Sequence, residues 1–317
     1  MPDAIVHIVR FLSFGLLLVA LPALGHTNLE IVPDKWSFEP AVIWPILMLV
    51  SAYISGIFHL RQQMILQRVL SSSHVISFVF GILFLVVALM SPLDLIAVSL
   101  FSAHMTQHLI IMLVAPPLLI LGRIENVLLW TFPLPLRRII GKNWLRATGL
   151  RSIFNWLMHP VIAWLLASVT MWFWHIPGPY TWAFNNPIIH IIEHLSFFLT
   201  SIILWTLVMQ PFRRNSGGHG AALILLTTFA LESSLLGALL AFSQHSYYSV
   251  HAANALRHLP DFLKDITQLQ DQQLAGLIMW VPASLVQLVA LGAIFHNWFS
   301  GSPKSSRFGN IGNKITR

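Results

Sequence analysis

Long apolar segments alternate with short polar ones along most of the chain. Each apolar segment is about 20 residues long, which is the length that an α-helix needs to cross the hydrocarbon layer of a bilayer. The pattern predicts an all-α fold, a polytopic membrane helix bundle with seven transmembrane helices. We place them near residues 41–60, 75–93, 102–122, 157–176, 188–209, 220–242 and 276–299.

The first apolar segment differs from the others because it is too short to span a bilayer comfortably. It reads "FLSFGLLLVALPALG", follows a single Arg10, and ends with Ala23 and Gly25 spaced like a signal-peptidase site. We predict that residues 1–25 are a signal peptide, with an N-terminal anchor helix as the alternative. The remaining chain then divides into an outer N-terminal segment (26–40), the seven-helix membrane domain (41–300) and a disordered cytoplasmic tail (301–317).

Composition supports a membrane protein and removes one class of chemistry. The chain is 56% hydrophobic and 9% charged, whereas a soluble domain is about 25% charged. It contains no cysteine, which excludes disulfides and thiolate metal sites. A soft metal ion would therefore have to use histidine and methionine.

The basic residues predict the orientation of the bundle. The net charge is +7, and 14 of the 18 Lys and Arg fall in loops and in the tail on one side of the predicted membrane. By the positive-inside rule this side is cytoplasmic, so the mature N-terminus lies outside and the C-terminus inside. The basic excess thus orients the chain against lipid and does not indicate a nucleic-acid surface. The fourteen are Arg61, Arg68, Arg123, Arg137, Arg138, Lys142, Arg146, Arg151, Arg213, Arg214, Lys304, Arg307, Lys314 and Arg317.

Five histidines fall at the outer ends of three consecutive spans. His104 and His108 open the third span, His175 closes the fourth, and His190 and His194 open the fifth. A spacing of four residues places both rings of a pair on one helix face. Since consecutive spans with short links usually pack as neighbours, we predict that these five side chains converge on a metal site.

Neighbouring side chains bear on the identity of that metal. Neutral imidazole suits copper, zinc and iron, and thioether sulfur favours Cu(I). Met105, Met112 and Met171 lie within one or two turns of the histidines, and Met112 shares a predicted face with His104 and His108. Glu193, beside His194, is expected to orient a ligand ring by hydrogen bonding or to accept a proton.

Two further groups of polar and aromatic residues lie in or near the spans. Glu232 lies near the middle of the sixth span, where a carboxyl group needs a partner, and Ser233 or Ser234 could supply it. Whether Glu232 handles protons or is structural stays open. An aromatic belt at the outer interface is predicted from Trp172, Trp174, Tyr180 and Trp182.

Four segments resemble a known family. They are "SPLDLIAVSLFSAHMTQHLIIMLVAPPLLILG" (91–122), "WFWHIPGPY" (172–180), "HIIEHLSFF" (190–198) and "DQQLAGLIMWVP" (271–282). Their order over residues 40–300 resembles the multi-spanning CtaG family of assembly factors for caa3-type cytochrome c oxidases, which are haem-copper enzymes.

The resemblance implies a multi-pass protein of the bacterial cytoplasmic (inner) membrane. It implies a non-enzymatic assembly factor that binds copper and delivers it to an oxidase subunit at the outer face. All five histidines fall inside the matched segments, as does Asp271. The outer loop 243–270, with His245, His251 and His258, matches no motif, and neither the loop's role nor the oligomeric state is predicted.

Other functions are open at this point. Paired histidines could hold a b-type haem for electron transfer. A zinc hydrolase is the weaker alternative, because "HIIEH" places its glutamate one residue too late for the HEXXH motif. A retinal receptor is excluded, since no predicted span contains the lysine that a Schiff base requires.

Overall fold

The computed structural model describes residues 36–64, 66–210, 218–248 and 265–300. Within these ranges the regular structure is helical. The elements are α1 Pro40–Gln62, α2 Leu66–Val69, α3 Ser72–Met90, α4 Pro92–Ser99, α5 Phe101–Leu109, a π-helix Ile110–Val114, α6 Ala115–Leu121, α7 Ile124–Trp130, α8 Leu134–Arg146, α9 Thr148–Leu157, α10 Pro160–Trp174, α11 Pro177–Asn185, α12 Pro187–Met209, α13 Gly218–Ala241 and α14 Gln268–Ser300.

The predicted all-α membrane bundle is confirmed. Among the described residues, six continuous helical segments are long and apolar enough to cross a membrane, and the third of them runs through α5, the π-helix and α6. The pair α9 and α10, bent by 67°, meets the same length and composition criteria when taken as one segment, which gives six to seven candidate crossings. The bend precedes Pro160, and proline is favoured at the first position of a helix and disfavoured inside one.

Several boundaries differ from the prediction because short helices occupy the links. The links 94–101 and 177–187 contain α4 and α11, and each of these helices starts at a proline. The basic segment 136–151 folds as α8 and α9 with a break at Ala147. The last span begins at Gln268 instead of residue 276, so Asp271 lies within its first turn.

The bundle has two distinct ends. We call the end formed by α4, α11 and residues 242–248 the histidine end, and the end formed by residues 63–71 and α7–α9 the basic end. Three predicted segments lie outside the described residues: the signal peptide, most of the outer N-terminal segment and the tail. His251 and His258 of the unmatched loop also lie outside them.

A π-helix interrupts the third span just before Pro116 and Pro117. Pro116 has no N–H group to donate to the carbonyl of Met112, four residues earlier. The indole Nε1 of Trp205, on α12, donates to that carbonyl at 2.9 Å. A free backbone carbonyl inside a membrane bundle costs several kcal/mol, so this bond stabilises the packing of the third span against α12.

Small residues bring α13 and α14 into backbone contact. A Cβ atom on Gly276 would lie 2.4 Å from the backbone nitrogen of Ala241, and one on Gly237 would lie 2.8 Å from the carbonyl oxygen of Gly276. Gly-to-Gly approach of this kind is a common way for membrane helices to associate. It fixes the start of α14, and therefore Asp271, at the histidine end.

Candidate metal centre

A carboxylate from a distant helix holds the start of α5. Leu100, the residue before α5, offers no side-chain cap. Asp271 replaces that cap: its Oδ2 accepts from the backbone N–H of Phe101 at 2.6 Å and its Oδ1 from that of Ser102 at 3.0 Å. An anion at a helix N-terminus satisfies free N–H groups and interacts favourably with the helix dipole. These two hydrogen bonds therefore fix the position of α5 along the axis of the bundle.

Gln107 fixes the rotation of the same helix. Its amide nitrogen donates to the carbonyl of Ala88 at 2.7 Å and to Oδ1 of Asp94 at 2.9 Å. Gln107 itself is fully buried. Because both bonds lie on one side of α5, His104 and His108 are directed towards α12.

Four side chains converge between α5 and α12. His104, His108, Glu193 and His194 each offer one ligand atom, and these atoms all lie within 4.8 Å of one another. Oε1 of Glu193 lies 3.9 Å from Nε2 of His104 and 3.8 Å from Nε2 of His108. These separations are too long for hydrogen bonds. They are within the reach of two ligands that each lie about 2 Å from one ion.

The polar atoms of this cluster have few partners. Six of its buried atoms form no hydrogen bond with any described residue. A buried polar atom without a partner costs about 1–3 kcal/mol, and buried atoms in native proteins are nearly always satisfied. The cluster thus has the chemical character of an ion-binding site. The six atoms are Nε2 of His104, Nδ1 and Nε2 of His108, both carboxylate oxygens of Glu193, and Nε2 of His194.

His190 lies at the more open edge of the cluster. Its ring centroid is 4.2 Å from that of His194 and 5.5 Å from that of His104. It is half-buried, whereas His104 and His108 are buried. His190 therefore adjoins the four-residue cluster on its solvent side.

His175 lies next to the cluster but points elsewhere. Its ring centroid is 6.3 Å from that of His108. Its Nδ1 bonds to the carbonyl oxygen of Met171 at 2.6 Å, and its Nε2 lies 3.3 Å from Sδ of Met105. The structure thus brings all five predicted histidines to one end of the bundle, and His175 faces a thioether.

Aromatic side chains cover the cluster on the histidine end. Tyr180 packs edge-on against His104 at 5.5 Å, and Tyr248 donates its hydroxyl to the carbonyl of His175 at 2.6 Å. Burial raises the pKa of both phenols well above the usual range, and Glu193, Tyr248 and Asp271 add to the effect on the pKa of Tyr180. Both phenols therefore stay neutral and contribute no charge to the site.

The aromatic-belt prediction is wrong for two of its members. Trp174 is buried and donates Nε1 to Oγ of Ser196 at 2.9 Å, and Tyr180 is buried over His104. Trp182, 56% exposed, fits a belt position. The rings of Trp174 and Tyr180 instead pack inside the protein, where they cover the histidine end with apolar surface.

Glu232 does not pair with either neighbouring serine. Ser233 donates to the carbonyl of Ala230 at 3.1 Å, and Ser234 lies 3.0 Å from the hydroxyl of Ser284. The expectation that one of them would partner the carboxyl group is therefore wrong. Glu232 is half-buried on α13 and is not part of the histidine cluster.

Comparison with known proteins identifies the family. The family model described as cytochrome c oxidase caa3 assembly factor (Caa3_CtaG) matches residues 51–300. The chain belongs to this family. The match includes all five histidines, Glu193 and Asp271. No curated protein and no solved structure matches the chain.

Sequence reasoning placed Glu193 and Met105 less precisely than the five histidines. Glu193 was expected to support a ligand ring, but its carboxylate lies among the ligand atoms. Met105 was noted only as a nearby thioether. The signal for Glu193 was its position between His190 and His194, three residues after one and directly before the other.

The Asp271 cap generates a prediction for the site. Replacement Asp271→Asn leaves one acceptor oxygen but turns an amide N–H towards a backbone N–H of α5. We expect a lower melting temperature and a loss of about 10–100-fold in metal affinity, the usual range for residues that position ligands. The measurement is thermal unfolding and metal titration of the detergent-solubilised protein.

The matched control is Asp265→Asn, at an exposed carboxylate near the same end. It should leave both quantities unchanged. Wild-type metal affinity in Asp271→Asn would show that the cap does not position the cluster.

Proposed function

We propose that this CtaG-family chain is a non-enzymatic assembly factor that binds copper at the histidine end and delivers it to a cytochrome c oxidase subunit. His104, His108 and His194, together with Glu193, are the proposed ligands. His190, at the open edge, adjoins the path by which the ion enters and leaves. His175 belongs to the predicted set and lies beside His108, with its Nε2 facing Met105.

The six unpartnered buried atoms are the observation that carries this proposal. In an apolar bundle such a group of atoms is costly unless something binds it. A cation contacted by three imidazoles and a carboxylate satisfies most of them at once. Ligand atoms that bind one tetrahedral ion at about 2 Å lie about 3.3 Å apart, so separations of up to 4.8 Å would have to close by at most about 1.5 Å.

The ligand set fits a single metal ion better than a haem. Rings in the cluster lie 4.2–5.7 Å apart between centroids, so they are in mutual contact. A bis-histidine haem needs a planar macrocycle between its two axial rings, and rings in mutual contact leave no room for one. Imidazole and carboxylate also accept zinc; copper is preferred because the family assembles a haem-copper enzyme.

The basic residues support delivery from the outer face. The basic end carries Arg123 just before α7, Arg137, Arg138 and Lys142 on α8, and Arg151 on α9. By the positive-inside rule the basic end is cytoplasmic. The histidine end then faces outward, in a multi-pass protein of the bacterial inner membrane.

Metal analysis of the detergent-purified protein tests copper binding. We expect His104→Ala/His108→Ala and His190→Ala/His194→Ala to lose the copper held around Glu193, and so to bind less copper than the wild type after loading. They should also lose the copper-induced rise in melting temperature, since a ligand at 100 times its Kd adds about 2.7 kcal/mol of stability. In cells, both variants should lower oxidase activity while the protein accumulates normally.

The control is His159→Ala/His296→Ala, which removes two exposed rings at the basic end. It should bind copper like the wild type. Equal copper in all four proteins would overturn the proposal.

Orientation is tested with single cysteines, because the chain has none of its own. Asn185→Cys lies exposed at the end of α11, and Asn143→Cys lies exposed on α8 at the basic end. In cells whose outer face is accessible, a membrane-impermeant maleimide should label position 185, and position 143 only after lysis. The reverse labelling would place the histidine end inside and contradict delivery at the outer face.

A further inference from the structure

A pocket lined with methionine adjoins His108, and Glu193 is not among its lining residues. Its volume is about 40 Å³, and a site of roughly 10–15 Å³ on this measure holds one water molecule. Four of the ten methionines in the chain line it, contributed by α5, the π-helix, α10 and α14. They are Met105, Met112, Met171 and Met279, and the two histidines that also line it are His108 and His175.

The hydrogen bond of His175 determines which of its nitrogens can bind a metal. Nδ1 lies 2.6 Å from the carbonyl oxygen of Met171, which only accepts, so we assign the proton of the neutral ring to Nδ1. The other nitrogen, Nε2, then carries a lone pair. That lone pair faces Sδ of Met105 at 3.3 Å.

Two lone-pair donors at this distance have the spacing of ligands on one ion. With metal–nitrogen and metal–sulfur bonds of about 2.0 and 2.3 Å, an angle of about 100° at the metal places the two ligand atoms about 3.3 Å apart. The observed separation lies within about 0.4 Å of the values of about 3.5 and 3.7 Å that the ideal tetrahedral and trigonal angles give with the same bond lengths. It also differs from the wider spacing among the ligand atoms around Glu193.

The chemistry of the pocket favours a soft ion of low charge. No acidic or basic side chain other than histidine is among its lining residues, whose other polar side chains are Ser233 and Gln287. The cost of burying an ion rises with the square of its charge, and here no carboxylate offsets it. Thioether sulfur and imidazole together select Cu(I) over zinc or Cu(II).

We propose that the chain carries a second, sulfur-containing site that binds Cu(I) through Nε2 of His175 and Sδ of Met105. A further thioether comes from the other pocket methionines. The site is distinct from the cluster around Glu193, and its existence does not depend on delivery to an oxidase. His108 lines this pocket and also contacts Glu193, so it joins the two sites.

This arrangement explains why His175 is not among the residues whose ligand atoms lie within 4.8 Å of one another around Glu193. It assigns His175 to the Cu(I) site and His104, His194 and Glu193 to the site near the open edge. A Cu(I) ion held between His175 and Met105 would be separated from the ligands around Glu193 by the ring of His108. Transfer between the sites then needs only ligand exchange at His108 and no change of oxidation state.

Copper X-ray absorption on the intact, detergent-purified protein tests the site directly. The protein is loaded anaerobically with one equivalent of Cu(I) in the presence of a competing Cu(I) chelator. We expect sulfur scatterers at about 2.3 Å. In Met105→Leu/Met171→Leu, which conserves side-chain volume, we expect loss of those scatterers and at least a tenfold weaker Cu(I) affinity, the lower end of the ~10–100-fold range for disrupted metal sites.

Two further variants separate this proposal from the proposed function. Met158→Leu replaces a buried methionine outside the pocket and should leave the sulfur scatterers intact. His104→Ala/His194→Ala should abolish Zn(II) binding but keep the sulfur-containing Cu(I) site. Failure of zinc and Cu(II) binding in the wild type, with sulfur-bound Cu(I) present, would count against the proposed function alone.

The wild-type spectrum alone can overturn the proposal, even if the methionine variants fail to fold. Nitrogen and oxygen scatterers without sulfur at one equivalent of Cu(I) would exclude the site. Unchanged Cu(I) affinity in a folded Met105→Leu/Met171→Leu protein would exclude it as well.

Discussion

Polar atoms buried between membrane helices need partners, because the hydrocarbon around the bundle supplies none. Most of the buried polar groups at the histidine end meet this requirement within the protein. Asp271 binds the first two N–H groups of α5, Gln107 binds Ala88 and Asp94, and Trp205 binds the carbonyl that Pro116 leaves free. These bonds join the third span, which consists of α5, the π-helix and α6, to α14, α3, α4 and α12.

The histidine cluster does not meet this requirement. The same bonds hold in place the helices that carry it. Six buried atoms of His104, His108, Glu193 and His194 have no partner among the described residues. A rigid scaffold that keeps unpartnered imidazoles and a carboxylate together is what a metal site requires, because its ligands must be positioned before the ion arrives. Nε2 of the neighbouring His175 and Sδ of Met105 are likewise held close together, and this pair suits a softer ion.

Sequence patterns were sufficient for the spans and for the end of the bundle that carries the histidines. Hydropathy located the membrane helices, and a spacing of four residues correctly paired His104 with His108 and His190 with His194. The pattern could not fix how each helix is rotated against its neighbours. Rotation of α5 depends on Asp271, about 170 residues away, and on Gln107.

This limit explains the residues that the sequence placed less well. Glu193 lies in the cluster because the N-terminal half of α12 turns one face to α5. This orientation depends on contacts between residues far apart in the sequence. His175 points away from the other rings because its Nδ1 is bonded to Met171. Tyr180 and Trp174 are buried because residues 242–248 and α12 cover them, and a belt rule based on depth alone cannot anticipate such cover.

Crystallographic anomalous scattering at the copper edge, on crystals of the copper-loaded protein, tests the central claim most directly. The account predicts an anomalous peak between Nε2 of His104, Nε2 of His194 and the carboxylate of Glu193, with His108 on its inner side. Copper density confined to exposed histidines at the basic end, with none beside Glu193, would contradict it.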